Sequence, residues 1–414
     1  MREDDHSGPD LCALLERVEC GAPTDAVEAV AAELAVMVGA RAVSFLIADF
    51  SGRALVRFGP PEARTGQGRQ GTVQAETVEL AGSVYDRVLR TQKVDVRECD
   101  GGAQLIVPVT DRGDAIGVLE LSLPRFPDDR TVADVAAIAH ALAYVVIANR
   151  RHTDLFEWGQ RTTPFSLAAE IQRRLLPASY TCEAGQFTLA GWLEPASSVG
   201  GDTFDYNLDR DVLQLSITDA VGHEVQAALL ATLLVASLRN GRRRGLSLAE
   251  QASRANDDLA ANTEAGNFVT GQLLRIDLHS GAATIINAGH PLPLRLRQGR
   301  VEEIQLDIDL PFGLQPGRSF RVQQFPLEPG DRLVFVTDGM LERNAARLDV
   351  STALGESGDL HPREVVHELG AAVLRATAGD LRDDATVLVL DWYGGGPLRR
   401  RVSTAGASDQ YASP

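Results

Sequence analysis

The sequence predicts an α+β protein in two folded parts. An N-terminal α+β domain leads through a helical connector to a larger αββα domain, with stacked antiparallel sheets flanked by helices. Three observations carry this reading. A chain of 414 residues exceeds one ordinary core and points to two or three domains. Strand-like runs arrive mostly in pairs separated by turn residues, the pattern of antiparallel hairpins. In the second half, strand-like or turn-rich segments border on Asp202, Asp219, Asp338 and Asp383, which puts carboxylates at the edge of a sheet.

The elements follow in order. Residues 1–10 read as disordered. Helices are expected over Leu11–Cys20 and Thr24–Val38, the second with Thr24 as N-cap ahead of Val27, Val30, Ala31 and Leu34 at helical spacing. Ala42–Ile47 and Ala54–Phe58 read as strands joined by a turn at Asp49–Gly52. A Gly-rich loop (Gly59–Gly71), a third strand (Thr72–Leu80) and a helix (Ser83–Thr91) come next. Gln104–Val109 and Ala115–Leu121 then flank the turn Asp111–Asp114, and a long helix starts near Thr131. Together they make one α+β domain over residues 11–150. Within it, Ala103–Leu123 ends a strand in Val-Pro-Val, returns as Ile-Gly-Val-Leu-Glu-Leu, and precedes the long helix. That pattern resembles a GAF domain. The resemblance implies a sensor of small molecules, redox state or protein signals, often dimeric. No residue identifies its ligand, and Cys99 reads as an ordinary loop cysteine.

Residues 151–177 form the connector. Gly159 and Thr162-Thr-Pro164 interrupt the helix, and Ser166–Leu176 restarts one that Pro177 stops. Leu167, Ile171 and Leu175 form an apolar stripe, read as a helix packed on its neighbouring domain and compatible with signal transmission or dimer formation. Residues 178–393 then alternate strands with helices at Glu224–Asn240, Leu248–Asn262 and Pro362–Thr377. Strand pairs are expected at Gly271–Leu278 with Ala283–Asn287, and at Leu294–Arg297 with Arg300–Leu306. The tail Gly394–Pro414 reads as disordered.

Composition narrows the function. The 44% hydrophobic content suits a folded globular protein, and with only 5% aromatic residues its cores rest on Val, Leu, Ile and Ala. A net charge of -17 argues against nucleic acid or anionic membrane as the main partner. Cys12, Cys20, Cys99 and Cys182 show neither disulfide-framework nor zinc spacing and fit a reducing compartment. The first residues lack the apolar core of a signal peptide. The apolar runs Val132–Ile147 and Val225–Leu238 read as soluble helices, so a cytoplasmic location is expected.

The chemistry lies in four strings: Glu194-Pro-Ala-Ser-Ser-Val-Gly-Gly-Asp-Thr-Phe-Asp205, Ile217-Thr-Asp-Ala-Val-Gly-His-Glu224, Asn287-Ala-Gly-His290, and Thr337-Asp-Gly-Met-Leu-Glu342 followed by Arg382-Asp-Asp-Ala-Thr386. Crowded carboxylates repel and need a cation or a shared proton. An all-oxygen set suits Mg²⁺ or Mn²⁺, whereas zinc favours His and Cys. With the connector string Glu170-Ile-Gln-Arg-Arg-Leu-Leu-Pro177, these motifs resemble the SpoIIE-type branch of the PPM metal-dependent serine/threonine phosphatases over about residues 166–392. The resemblance implies that Asp219 bridges two Mn²⁺ or Mg²⁺ ions and that the Ala220 carbonyl adds a ligand. It implies further that Asp338 and Asp383 complete one shell and that Asp202 serves the other ion. Two such ions, about 3.5–4 Å apart, activate a water and stabilise charge on a phosphoryl group.

Asp384 is the alternative to Asp383, which the family pattern favours. Asp205 is expected to order its own loop, His290 to be a structural hydrogen-bonder, and His223 is a candidate general acid. Gly200, Gly201 and Gly339 allow close backbone approach. The chain departs from the family at Glu224, where Gly is usual, at Ala220-Val221 in place of Val-Ser, and at Thr203, commonly aromatic. The run Arg239-Asn-Gly-Arg-Arg-Arg244 reads as a favourable helix end. The resemblance implies a phosphatase acting on phosphoserine or phosphothreonine of a STAS-domain anti-anti-sigma factor, gated by the GAF-like module within a homodimer. The alternatives are a catalytically weak scaffold using the same fold and a hydrolase of small phosphate esters.

Overall fold

The computed structural model describes residues 8–58, 75–162, 165–196, 200–341, 349–379, 381–397 and 400. The expectations for residues 1–7, for the Gly59–Gly71 loop, for the start of the third strand, for Thr163-Pro164, and for the tail at 398–399 and 401–414 lie outside the described residues. So do Ser197, Ser198, Val199 and Glu342 of the motif strings. The chain divides into two compact units, Met1–Pro164 with Arg401–Pro414, and Phe165–Arg400.

The first unit contains α1 (Leu11–Cys20), α2 (Ala26–Val38), β1 (Ala42–Ala48), β2 (Ala54–Phe58), β3 (Ala75–Glu79), α3 (Val84–Thr91), β4 (Asp95–Cys99), β5 (Gly102–Asp111), β6 (Asp114–Leu123), α4 (Asp129–Asn149) and α5 (Leu155–Gly159). Its strands form one antiparallel sheet in the order β3-β2-β1-β6-β5-β4. Strand alternation gives that sheet two apolar faces. Leu105, Val107 and Val109 of β5 join α1, α2 and α4 on one side, while Ile106 joins Leu46, Val118 and α3 on the other. The helix α4 is the one described helix long and apolar enough to cross a membrane. Its Val135, Ile138, Leu142 and Val146 are spent in the core.

Two expectations need correction here. Thr24 does not cap α2: Pro23–Asp25 form a short 3₁₀ turn, the helix begins after Asp25, and the Thr24 hydroxyl donates to Asp25 at 3.0 Å. Cys99 is exposed but lies in a strand, the end of β4. That edge strand, Asp95-Val-Arg-Glu-Cys99, is masked in the sequence by its charged residues.

The second unit begins with α6 (Leu167–Leu175), capped by the Ser166 hydroxyl, which accepts from the Ala169 amide at 3.1 Å. Of the stripe Leu167, Ile171 and Leu175 only the last is buried. Leu167 is 65% exposed and Ile171 half-buried, and the helix buries Ala168, Ala169 and Gln172 beside Leu175. There follow β7 (Thr181–Glu183), β8 (Phe187–Glu194), β9 (Thr203–Leu208), β10 (Val212–Ala220), α7 (Glu224–Arg243), α8 (Leu248–Asn262), β11 (Val269–Asp277), β12 (Ala282–Ala288), β13 (Leu294–Arg297), β14 (Arg300–Glu303), β15 (Gln323–Pro326), β16 (Asp331–Val336), α9 (Val350–Glu356), α10 (Pro362–Ala376) and β17 (Ala385–Trp392).

These strands build two antiparallel sheets, β15-β12-β11-β10-β9 and β14-β13-β16-β17-β8-β7. The period-2 alternation of each strand explains the layering. Leu213, Leu215 and Ile217 of β10 meet Leu333, Phe335, Leu388 and Leu390 between the sheets. Val334, Val336, Val387 and Val389 face the other way, against Val366 and Leu369 of α10. Leu273 and Ile286 pack against Leu230, Leu234 and Leu259 of α7 and α8. The result is four layers, helices–sheet–sheet–helices, as the sequence predicts.

Candidate metal centre

The four aspartates come from both sheets. Asp202 stands immediately before β9, Asp219 is the next-to-last residue of β10, Asp338 opens a 3₁₀ turn after β16, and Asp383 precedes β17. Two close backbone approaches bring these strand ends together. A Cβ at Gly201 would lie 2.5 Å from the Ala220 carbonyl oxygen, and one at Gly339 would lie 2.0 Å from the Asp384 carbonyl oxygen. Only glycine fits such contacts.

Asp202 is buried, with 1% exposure. Its Oδ2 accepts from the Thr386 hydroxyl at 2.6 Å and from the Thr337 hydroxyl at 2.7 Å. Burial, with Asp219 and Asp384 nearby, holds its pKa well above the usual carboxylate range. Asp219 is half-buried, and its pKa is pushed up to about 7 by burial and then by the negative charges of Asp338, Asp383 and Asp384. Asp338 is exposed and Asp383 half-buried at the same end of the sheets. Among the described residues no three Asp, Glu, His or Cys side chains are already gathered as a metal cluster. The carboxylates are electrostatic neighbours, each raising the free energy of charge on the next. Their donor set, four carboxylates and the Ala220 carbonyl within reach of the same strand ends, has the hardness and charge that Mg²⁺ or Mn²⁺ requires.

Asp384 has a different place. It is 1% exposed, and its carboxylate accepts from Gln172 Nε2 at 2.6 Å and from the amides of Ala196 at 2.8 Å, Gly201 at 3.0 Å and Asp202 at 3.3 Å. Burial raises its pKa, while those donors pull it down. It is a knot that ties α6 and the segment before β9 to the start of β17. Asp383 instead acts on Asp219 as a neighbouring negative charge, and its Oδ1 accepts the Asp384 amide at 2.9 Å. Gln172 also donates to the Asp202 carbonyl at 2.8 Å. Sequence reasoning missed Gln172, since one glutamine in a helix carries no signal of a partner more than two hundred residues away. Thr337 and Thr386 stood inside the motif strings without a role.

The histidines part company. His223 is exposed at the N-terminal end of α7, and its side chain makes no hydrogen bond among the described residues. His290 is buried: its Nδ1 lies 2.9 Å from the Thr270 hydroxyl, its amide donates to Asn287 Oδ1 at 2.8 Å, and Asn287 Nδ2 donates back to its carbonyl at 2.9 Å. Burial depresses its pKa to about 3, so the ring is neutral. Asp205 does not order a loop. It sits in β9, where Arg239 at 2.9 Å and Arg242 at 3.0 Å pair with it. Arg239 also donates to the Leu175 carbonyl at 2.6 Å, closing the end of α6. The residue after His223 is unusual too. Glu224 has φ +55°, in the left-handed region that glycine enters without strain.

Comparison with known proteins gives similarities of three kinds. Residues 209–393 match the family model of Stage II sporulation protein E (SpoIIE). The chain is 22% identical over 291 residues to the phosphoserine phosphatase RsbU of Bacillus subtilis, covering 66% of this chain and 83% of that protein. It is 24% identical over 185 residues to the phosphoserine phosphatase RsbP of the same organism, covering 44% of this chain and 45% of that protein. Among solved structures, the RsbU and RsbW domains of Rv1364c from Mycobacterium tuberculosis align with TM-score 0.46 and 24% identity, over 52% of this chain and 62% of that one.

Proposed function

We propose that this chain, whose residues 209–393 match the SpoIIE family model, is a phosphatase that removes phosphate from phosphoserine or phosphothreonine of a signalling protein in a metal-dependent reaction. Asp202, Asp219, Asp338, Asp383 and the Ala220 carbonyl would hold two Mn²⁺ or Mg²⁺ ions. Bound there, the cations supply Lewis acidity toward a water and toward the phosphoryl group. The residues themselves do the holding: Asp384 and Gln172 fix the segment that carries Asp202, and the glycines at 201 and 339 admit the backbone contacts that bring the strand ends together. The observation that carries this reading is the Asp219 carboxylate, lifted to about 7 by burial and by three other aspartates. Such a site gains most by taking up a cation.

In the same reading the substrate is a STAS-domain anti-anti-sigma factor in the cytoplasm. The N-terminal unit would act as a GAF-like sensor that sets activity through α6 in a homodimer. Support for the substrate class comes from two relatives named as phosphoserine phosphatases. The test is hydrolysis of a phosphoserine-bearing STAS-domain protein beside p-nitrophenyl phosphate, with Mn²⁺, Mg²⁺ or EDTA, by the full chain and by residues 165–400. The proposal predicts faster turnover of the phosphoprotein, lost in EDTA. Equal or better turnover of the small ester would assign a small-ester hydrolase, and metal binding with no turnover of either by either protein would assign a scaffold.

A further inference from the structure

Thr337, just after β16, and Thr386, in the paired β17, are fully buried neighbours, and each could satisfy its hydroxyl with a main-chain carbonyl, as most side-chain donors in proteins bond to backbone or water. They do not. Both hydroxyls donate to the same oxygen, Asp202 Oδ2, at 2.7 and 2.6 Å. The arrangement is fixed from behind: the Thr386 amide donates to Thr337 Oγ1 at 3.0 Å, and the Thr337 amide donates to the Thr386 carbonyl at 3.1 Å. With the Thr386 amide as its donor, Thr337 Oγ1 is left to spend its own proton on Asp202. Oδ1 of Asp202 accepts no hydrogen bond from any described residue. The carboxylate is therefore held at one oxygen while the other stays available.

We propose that Thr337 and Thr386 are positioning residues for the cation held by Asp202: their hydroxyls occupy Oδ2, fix the carboxylate rotamer, and reserve Oδ1 for the ion. The inference rests on the metal reading above. It differs from simple satisfaction of two buried hydroxyls because it assigns them an effect on ion affinity. Outer hydrogen-bond partners that orient a metal ligand are worth about 10–100-fold in metal affinity. Thr386→Val is the clean probe, since the Thr386 hydroxyl serves Asp202 alone, whereas Thr337→Val would also strand the Thr386 amide.

The experiment is calorimetric titration of the full chain with Mn²⁺, for the wild type, Thr386→Val, Thr386→Ser and Asp202→Asn, with metal-free thermal melts for each. The expected result is about tenfold or more weaker Mn²⁺ binding at one site in Thr386→Val, with Thr386→Ser within about twofold of wild type. Unchanged affinity in Thr386→Val would overturn the inference and leave the metal centre standing. Equal weakening in Thr386→Ser would also overturn it, since packing and not the hydroxyl would then matter. A wild type that binds no Mn²⁺ would overturn the metal reading and this inference with it.

Discussion

Asp383 and Asp384 are adjacent, chemically identical and in one motif, yet their surroundings predict opposite behaviour on replacement by Asn. The Asp384 carboxylate accepts four hydrogen bonds, three at Oδ2 from Gln172, Gly201 and Asp202 and one at Oδ1 from Ala196. An Asn there keeps one acceptor oxygen and turns an NH₂ group toward at least one N–H donor. One charge-assisted bond is lost and a buried amide is left without an acceptor, together about 2–3 kcal/mol. For a unit of this size that is a fall of about 4–12 °C in melting temperature. Asp383 is half-buried, and the Asp384 amide still finds an acceptor in Asn Oδ1. Removing its charge also relieves repulsion with Asp219. Asp383→Asn should therefore melt at or above the wild-type temperature in EDTA while losing Mn²⁺ affinity. The assay is differential scanning calorimetry in EDTA followed by Mn²⁺ titration. An Asp384→Asn protein that melts with the wild type, or an Asp383→Asn protein that loses as much stability as Asp384→Asn, would refute the assignment of the two roles.

Other expectations follow from the same geometry. Glu224→Gly should raise stability by about 1 kcal/mol, because a non-glycine residue held at φ +55° is strained; a lower urea midpoint would contradict this. Asp205→Asn should cost about 3 kcal/mol by leaving Arg239 and Arg242 without their shared carboxylate, and an unchanged denaturation midpoint would show the cluster to be dispensable. His361 is buried with Nε2 2.8 Å from Glu183 and Nδ1 accepting the Arg363 amide at 3.0 Å, so it is the neutral tautomer, with a pKa lowered to about 4 chiefly by burial. Its neutral form stabilises the fold above the unfolded histidine pKa, and that contribution fades as pH falls toward 4. His361→Asn, which keeps a helix cap, should lose less stability than wild type over that interval in urea titrations. Parallel pH profiles would show that another group governs the acid limb.

What the sequence made visible and what it hid have physical causes. The helix Leu248–Asn262 is bounded by its own chemistry, with Ser247 and Glu250 forming a reciprocal capping box. The hairpin Leu294–Arg297 with Arg300 onward is set by its turn residues, although its second strand stops at Glu303. By contrast β8, Phe187-Thr-Leu-Ala-Gly-Trp-Leu-Glu194, is buried along nearly its whole length between a sheet and a helix layer, so no alternation marks it. The connector stripe misled for a different reason: in α6 the small residues Ala168 and Ala169 and the polar Gln172 face inward, with Ala168 close to Gly200 and Gln172 bonded to the buried Asp384 carboxylate. The aspartates could be singled out by where they fall relative to strands. Which of two adjacent ones is a knot, and which hydroxyls hold Asp202, depends on partners that only the folded chain brings close.

The central claim is tested most directly by Mn²⁺-dependent hydrolysis of p-nitrophenyl phosphate by the full chain and by Asp219→Asn. Removing Asp219 takes away the carboxylate on which the charges of the other aspartates converge. The account predicts turnover that requires Mn²⁺ or Mg²⁺, stops in EDTA and disappears in the variant. Turnover that persists in Asp219→Asn with its metal dependence intact would contradict it.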